Sequence, residues 1–319
     1  MRKELTLEDY LIGISNQDIS ILSRAITLVE SKKAEHKKLA RDLIKAILPK
    51  TGRAKRISIS GTPGVGKSTF LENFGMFLID KGFKIAALTV DPTSQLTGGS
   101  ILGDKTRMTE LSSNKNAFVR PSPNGSTLGG VAAKTREALL LCDAFGFDYI
   151  FVETVGVGQS ELTVSHIVDF FVLLMQPGSG DELQGIKRGI LEVSDLVVVN
   201  KSDGDFEKVS KIAQHDYQRS LEILQENNKW QSQVLRCSSL YKKGFEEIFT
   251  CIDHFYNTAF EKESRDIQIK QWIKELLIEK FDSEVNNYSN FKNSLEKIKN
   301  GTADIIDSVD NIYNEIKSL

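Results

Sequence analysis

The sequence predicts an α/β fold with a mainly parallel sheet flanked by helices, and three observations carry that expectation. Short apolar runs recur from Arg56 to Ser238, with helical stretches between most of them. A glycine-rich turn, Gly61 to Ser68, separates the first run from a helix-forming segment. The chain has 319 residues, 40% of them hydrophobic, which is enough to bury a sizeable core. Strands separated by helices need crossover connections, which are right-handed and cover both faces of a parallel sheet.

Residues 1 to about 50 read as helices ahead of the sheet. Thr6 and Asp9 have capping-box spacing. Ile19, Leu22, Ile26 and Val29 then recur at helical spacing, as do Leu39, Leu43, Ile44, Ile47 and Leu48 before Pro49 and Gly52. The period changes at Arg56, where a strand runs to Ser60. A helix follows from Thr69 to Lys81 and stops near Gly82. Further strands are expected at Lys84–Val90, Tyr149–Glu153, Phe170–Met175, Leu196–Val199 and Val234–Ser238. The stretch from Asp91 to Asn124 has little periodicity and is rich in Gly, Ser, Thr and Asn, so it reads as a long functional or mobile loop. Beyond Phe255 the pattern becomes helical again. Trp272, Ile273, Leu276, Leu277 and Phe281 lie on an amphipathic helix, Gly301 interrupts, and Ile305, Ile306, Val309, Ile312, Tyr313 and Ile316 resume. Such a tail must bury its apolar face on its own sheet domain or on a second copy.

Charge and composition exclude several classes. Forty-one basic and 43 acidic side chains leave a formal charge of −2, so no general nucleic-acid surface is suggested. No apolar run approaches the roughly 20 residues of a membrane span. Cys142, Cys237 and Cys251 are far apart and form no CxxC pair, and the first residues resemble no secretory leader. A cytoplasmic protein is expected.

Two motifs carry the chemistry. Gly61-Thr62-Pro63-Gly64-Val65-Gly66-Lys67-Ser68, followed by Thr69, is a complete Walker A pattern between a strand and a helix. Its backbone N–H groups and the helix terminus can cradle phosphates, Lys67 can neutralise them, and Ser68 can ligate Mg2+. Asn200-Lys201-Ser202-Asp203 is an N-K-x-D element at the end of a strand. The carboxylate of Asp203 can accept from guanine N1–H and the exocyclic amine, an edge that adenine does not present. Cys237-Ser238-Ser239-Leu240 leaves another strand and looks like the loop that backs the base, or else it is an ordinary strand exit. Together these predict a GTPase with GTP and GDP as substrate and product, in a P-loop domain over 51–255. Residues 1–50 form a helical extension, and 256–319 a helical segment suited to dimerisation.

Each candidate metal acid has two readings by pattern alone. Asp91 ends a strand near the phosphate edge, or acts as a turn acid before Pro92. Asp104 lies in a loop with Gly98, Gly99 and Gly103, and is either a metal carboxylate or a solvated acid. Glu153-Thr154-Val155-Gly156 occupies the place of the usual D-x-x-G element. Glu153 can hold a metal-bound water, and Gly156 can offer its N–H to a γ-phosphate. Gln159 can orient the attacking water or belong to the switch surface. His36, His166, His215 and His254 have no zinc-ligand spacing.

The motifs together resemble the MeaB/ArgK (MMAA-type) family of metallochaperone GTPases, within the SIMIBI class of P-loop proteins. The resemblance rests on the Walker A block through Thr69, V-D-P-T-S at Val90–Ser94, and G-G-S-I-L-G-D-K-T-R-M at Gly98–Met108. It continues through R-P-S-P at Arg120–Pro123, V-E-T-V-G-V-G-Q-S-E at Val152–Glu161, P-G-S-G-D-E-L-Q-G-I-K at Pro177–Lys187, and N-K-S-D at Asn200–Asp203. It implies a slow, Mg2+-dependent GTPase that assists an adenosylcobalamin-dependent acyl-CoA mutase, chiefly methylmalonyl-CoA mutase, by gating cofactor loading and protection. It further implies metal-centre roles for Ser68, Asp91, Asp104 and Glu153, and a mutase-facing switch at Gly178–Arg188 that includes Asp181, Gln184 and Lys187. A homodimer held through carboxy-terminal helices is the family's common assembly. Two other readings are a nickel-insertion GTPase, which paired His or Cys ligands would favour, and a transport-associated kinase of the older ArgK naming.

Overall fold

The computed structural model describes residues 5–31, 33–91, 108–123, 128–154, 160–178, 188–225, 229–287 and 289–317. Within them the strands are β1 (Lys55–Gly61), β2 (Ile85–Asp91), β3 (Ala117–Pro123), β4 (Tyr149–Thr154), β5 (Phe170–Met175), β6 (Leu196–Val199) and β7 (Gln233–Arg236). They form one parallel sheet in the order β3-β2-β4-β1-β5-β6-β7. β4, β5 and β6 are buried at every position, as strands covered on both faces must be. β1 alternates: Ile57 and Ile59 enter one core layer, and Ser58 and Ser60 point to the other face.

The helices are α1 (Leu7–Ser15), α2 (Ile19–Glu30), α3 (Ala34–Ile47), α4 (Lys67–Asp80), α5 (Thr109–Ser113), α6 (Leu128–Phe145) and α7 (Ser160–Ser165), followed by α8 (Arg188–Glu192), α9 (Glu207–Leu224), α10 (Phe245–Thr258), α11 (Glu263–Asn287), α12 (Ser289–Lys299) and α13 (Ile305–Lys317). On one face, α4 buries Phe70, Leu71, Phe74 and Leu78, and α10 buries Phe245, Ile248, Ile252 and Phe255. Their rings meet edge-on, Phe74 to Phe245 at 5.4 Å and Phe70 to Phe245 at 5.8 Å. On the other face, Leu191 of α8 and Tyr217 and Leu221 of α9 close over Phe171, Leu173, Met175, Val197 and Val199.

The amino-terminal helices pack against α6. Thr6 and Asp9 form the expected capping box on α1. Asp18 caps α2, which buries Leu22, Ala25, Ile26 and Val29. Arg120 of β3 reaches Glu30 of α2 at 2.5 Å and ties the extension to the sheet edge.

The stretch expected to be a loop from Asp91 to Asn124 contains α5 and the whole of β3. β3 is an edge strand, which is why Pro121 and Pro123 are tolerated in it. Where the chain enters β1, a central strand, the side chain of Asp143 from α6 is fully buried. It accepts from the backbone N–H groups of Gly52, Arg53 and Ala54 and pairs with Arg56 at 3.0 Å. Asp169 is likewise buried and takes a two-pronged pair from Arg265 at 2.9 and 2.6 Å.

The chain divides into two compact units after Arg265, so 256–265 go with the sheet. In the second unit, Asp304 caps α13 through the N–H groups of Ile306 and Asp307. Gly301, with φ +69°, turns the chain between α12 and α13. Among the described residues no helix is long and apolar enough to cross a membrane.

Candidate functional site

Because every strand runs the same way, the carboxyl ends of β1, β4, β5, β6 and β7 open on one edge. β1 lies between β4 and β5. The chain leaves β1 toward β2 on one side and later crosses to β5 on the other. That reversal of direction is where open α/β sheets form their ligand crevice.

The Walker A residues leave β1 at this crevice. Gly61 has φ +147°, and a Cβ there would stand 2.4 Å from the Leu174 carbonyl oxygen. Gly66 starts α4 in the left-handed region at φ +97°, and a Cβ there would meet the Asn200 amide nitrogen at 2.8 Å. Both positions therefore require glycine. Val65 anchors the loop in the core, and Pro63 and Gly64 face outward. The buried Lys67 ammonium donates to the Gly61 carbonyl at 2.7 Å and the Thr62 carbonyl at 3.1 Å. Ser68, one residue further into α4, donates its hydroxyl to Oε1 of Glu153 at 2.9 Å. Thr69 is exposed beside them.

Glu153 is 9% exposed at the end of β4, so the expected acid faces the expected metal-ligand hydroxyl. A hydroxyl and a carboxylate are hard oxygen donors, and their contact places two of them at the amino end of α4. This donor set fits Mg2+.

The second motif forms the neighbouring wall. Asn200 is buried at the end of β6. Its amide donates to the Val65 carbonyl at 2.8 Å, and its Oδ1 accepts from the Ser239 N–H at 3.0 Å and the Ser239 hydroxyl at 2.7 Å. Cys237 Sγ donates to the same oxygen at 3.3 Å. Burial pushes the Cys237 thiol up to about 12, against the opposing Ser239 hydrogen bond, so it remains a donor. Asn200 thus bridges the phosphate loop to the segment after β7. Lys201, at φ +57°, donates to the Gly64 carbonyl at 2.7 Å. Ser202 locks the turn through Val199 and Cys237. Asp203 is half-buried, and its carboxylate makes no capping bond to the turn Gly204–Phe206 that follows.

Ser238 and Lys243 exchange two backbone bonds of 3.1 Å, closing a tight turn beside Asn200. Ser238 and Ser239 are buried, and Leu240 is 68% exposed at the turn's tip. The structure therefore gathers Gly61 to Thr69, Glu153, Asn200, Lys201, Asp203 and Ser238 to Leu240 at one edge of the sheet. Asp91 is the last residue of β2, and its side chain lies outside the described positions. Asp104, Gly156, Gln159, Asp181, Gln184 and Lys187 also lie outside the described residues. Sequence reasoning missed Ser60 and Thr154, whose buried hydroxyls meet at 3.0 Å where β1 and β4 end. The available signal was a pair of hydroxyl residues near the ends of two strands, Ser60 just before the glycine-rich turn and Thr154 just after Glu153.

The family described as "Methylmalonyl Co-A mutase-associated GTPase MeaB" matches residues 22–290. GTPase ArgK of Escherichia coli K12 is 48% identical over 272 residues, covering 85% of this chain and 82% of that protein. The mitochondrial methylmalonic aciduria type A homolog of Mus musculus is 40% identical over 306 residues, covering 86% and 74%. A solved structure titled as a LAO/AO transport system kinase superposes with a TM-score of 0.78 at 35% identity, covering 99% of each chain.

Proposed function

The chain belongs to the MeaB family of GTPases, and we propose that it serves an adenosylcobalamin-dependent acyl-CoA mutase of the methylmalonyl-CoA mutase type. It hydrolyses GTP to GDP and phosphate. In the proposed role, nucleotide state gates when the mutase receives its cofactor and keeps it from damage. The observation that carries this reading is the family match over most of the chain, supported by the likeness to a protein named for methylmalonic aciduria.

The residues at the sheet edge have assignable parts. Backbone N–H groups of the phosphate loop and the amino end of α4 hold the phosphates. Lys67 exchanges two backbone carbonyls for the more strongly charged phosphate oxygens. Ser68 and Glu153 hold Mg2+, with Asp91 and Asp104 assigned to the same centre by family resemblance. When bound, Mg2+ supplies positive charge to the β- and γ-phosphate oxygens. Asp203 reads guanine, while Asn200 and Lys201 stiffen the loop beneath it. Gly156 senses the γ-phosphate, and Gln159 either orients water or belongs to the switch surface. The segment 178–188 carries the signal to the mutase, and Asp181, Gln184 and Lys187 are the residues to test there.

The carboxy-terminal unit supports a homodimer. Ile269, Ile273 and Leu277 of α11 and Ile306 and Val309 of α13 are each more than half exposed. A second copy would cover such surface. Three buried free cysteines suit a reducing cytoplasm.

The test is capture from native extract with the protein held in its GDP and GTP-analogue states, followed by turnover assays with the recovered mutase. Nucleotide-dependent capture and faster GTP hydrolysis are expected. Absence of any acyl-CoA mutase, with no effect on its cofactor loading, contradicts the partner assignment. Light scattering on the same preparations is expected to give twice the chain mass, and a monomer would remove the dimer.

A further inference from the structure

The β1–β4 ladder runs from Lys55 opposite Tyr149 to Ile59 opposite Glu153. The next residues, Ser60 and Thr154, lie beyond that last pair. Their hydroxyls are joined at 3.0 Å, with Ser60 1% exposed and Thr154 fully buried. The ladder between β1 and β4 ends here. Ser60 enters the phosphate loop, where Gly61 stays paired with Leu174 of β5. Thr154 leads into the segment that follows β4, while its other side stays paired with Val90 of β2. The hydroxyl bond is thus the link that continues the β1–β4 contact past the end of the ladder.

Position gives this link its meaning. Thr154 follows Glu153, which accepts from Ser68, and Ser60 precedes Gly61, the first residue of the phosphate loop. Packing alone does not call for two hydroxyls here, since valine and alanine would fill the same volume without polar atoms to satisfy. Once buried together, each hydroxyl fixes the other, because separating them leaves both unpaired. The two strand ends are held at one spacing.

We propose that Thr154 and Ser60 are positioning residues for GTP hydrolysis, a clasp that sets the exit of β4 against the phosphate loop. This rests on the reading of the sheet edge as the GTP site. The two hydroxyls bond to each other and lie outside the Walker A pattern and the assigned metal ligands. The clasp fixes the distance between the Glu153 side of the centre and the Ser68 side. It therefore acts in the state where both sides engage one ligand, the triphosphate, and has little influence on diphosphate binding, which the phosphate loop dominates.

The experiment compares Thr154→Val, Thr154→Ser, Ser60→Ala and the Ser60→Ala/Thr154→Val pair. It measures GDP affinity, affinity for a non-hydrolysable GTP analogue, and single-turnover hydrolysis. Thr154→Val is expected to keep GDP affinity within about twofold and to hydrolyse GTP roughly five- to tenfold more slowly, the scale of one buried hydrogen bond. Thr154→Ser restores the rate. Ser60→Ala repeats the loss, and the pair is no slower than either single change, since both remove the same bond. Hydrolysis at the wild-type rate in Thr154→Val and Ser60→Ala overturns the proposal. So does an equal loss of GDP and GTP-analogue affinity with an unchanged rate, which is the mark of a purely structural bond. Failure of the wild type to prefer guanine nucleotides would instead remove the reading of the site, and the clasp with it.

Discussion

Replacing Asn200 with alanine removes a side chain that is 2% exposed and joins three segments. Its amide satisfies the Val65 carbonyl, and its oxygen satisfies the Ser239 N–H, the Ser239 hydroxyl and the Cys237 thiol. The Ser239 hydroxyl can rotate to another acceptor, and a thiol is a weak donor. The Val65 carbonyl and the Ser239 N–H are fixed by the backbone and would be left buried without partners. At about 1–3 kcal/mol for each of these two unsatisfied groups, the variant should lose about 2–6 kcal/mol. Most domains of this kind have about 5–15 kcal/mol to lose, so it should still fold. The phosphate loop would also lose its brace at Val65, next to Gly66, so GDP affinity should fall at least about tenfold. Urea unfolding with and without GDP, together with GDP titration, measures both effects. The midpoint should drop with an unchanged slope, and saturating GDP should recover less stability than in the wild type. A loss below about 1 kcal/mol with unchanged GDP affinity would refute the idea that this side chain couples the two walls.

Two further outcomes follow from the same geometry. Burial pushes the Asp195 carboxyl up to about 7 from 3.8, against the opposing Phe171 N–H bond and with the Asp169 charge adding to the rise. The folded state therefore holds this proton more tightly. Its contribution to stability is fully present below about pH 4 and is lost as pH rises through 7, on the order of 4 kcal/mol for a shift of this size. Asp195→Asn should gain on the wild type between pH 4 and 8 in urea unfolding, and a difference that does not change with pH contradicts the assignment. Lys67→Ala should lose GTP hydrolysis and tight triphosphate binding in a radioactive turnover assay. Retained turnover would reject the lysine's role.

Much of the fold was legible because its signals are local. The capping box of Thr6 and Asp9, the apolar runs of β4 to β6, and the Gly61–Ser68 turn each lie within a few residues of sequence. β3 was not legible, because Arg120, Pro121 and Pro123 break the apolar pattern. The structure shows the reason, an edge position and an ion pair with Glu30. The pairs Arg56–Asp143 and Arg265–Asp169 join residues far apart in sequence, and periodicity carries no trace of them. The candidate site divides in the same way. Lys67, Ser68, Asn200 and Asp203 were named by motif, since phosphate and guanine recognition need fixed residue types at fixed spacing. The bridging by Asn200 and the contact between Ser68 and Glu153 needed the sheet, which alone brings β1, β4, β6 and β7 to one edge.

Asp203 tests the account most directly, because the claim of a guanine-specific enzyme passes through its carboxylate. The measurement is the ratio of GDP to xanthosine diphosphate affinity in the wild type and in Asp203→Asn. A carboxylate accepts from both guanine N1–H and the exocyclic amine. An asparagine offers one acceptor and one donor, which suits the N1–H and the 2-oxo group of xanthine. The account predicts a preference for GDP in the wild type and a reversal toward the xanthine nucleotide in the variant. An unchanged preference for GDP in Asp203→Asn would contradict it.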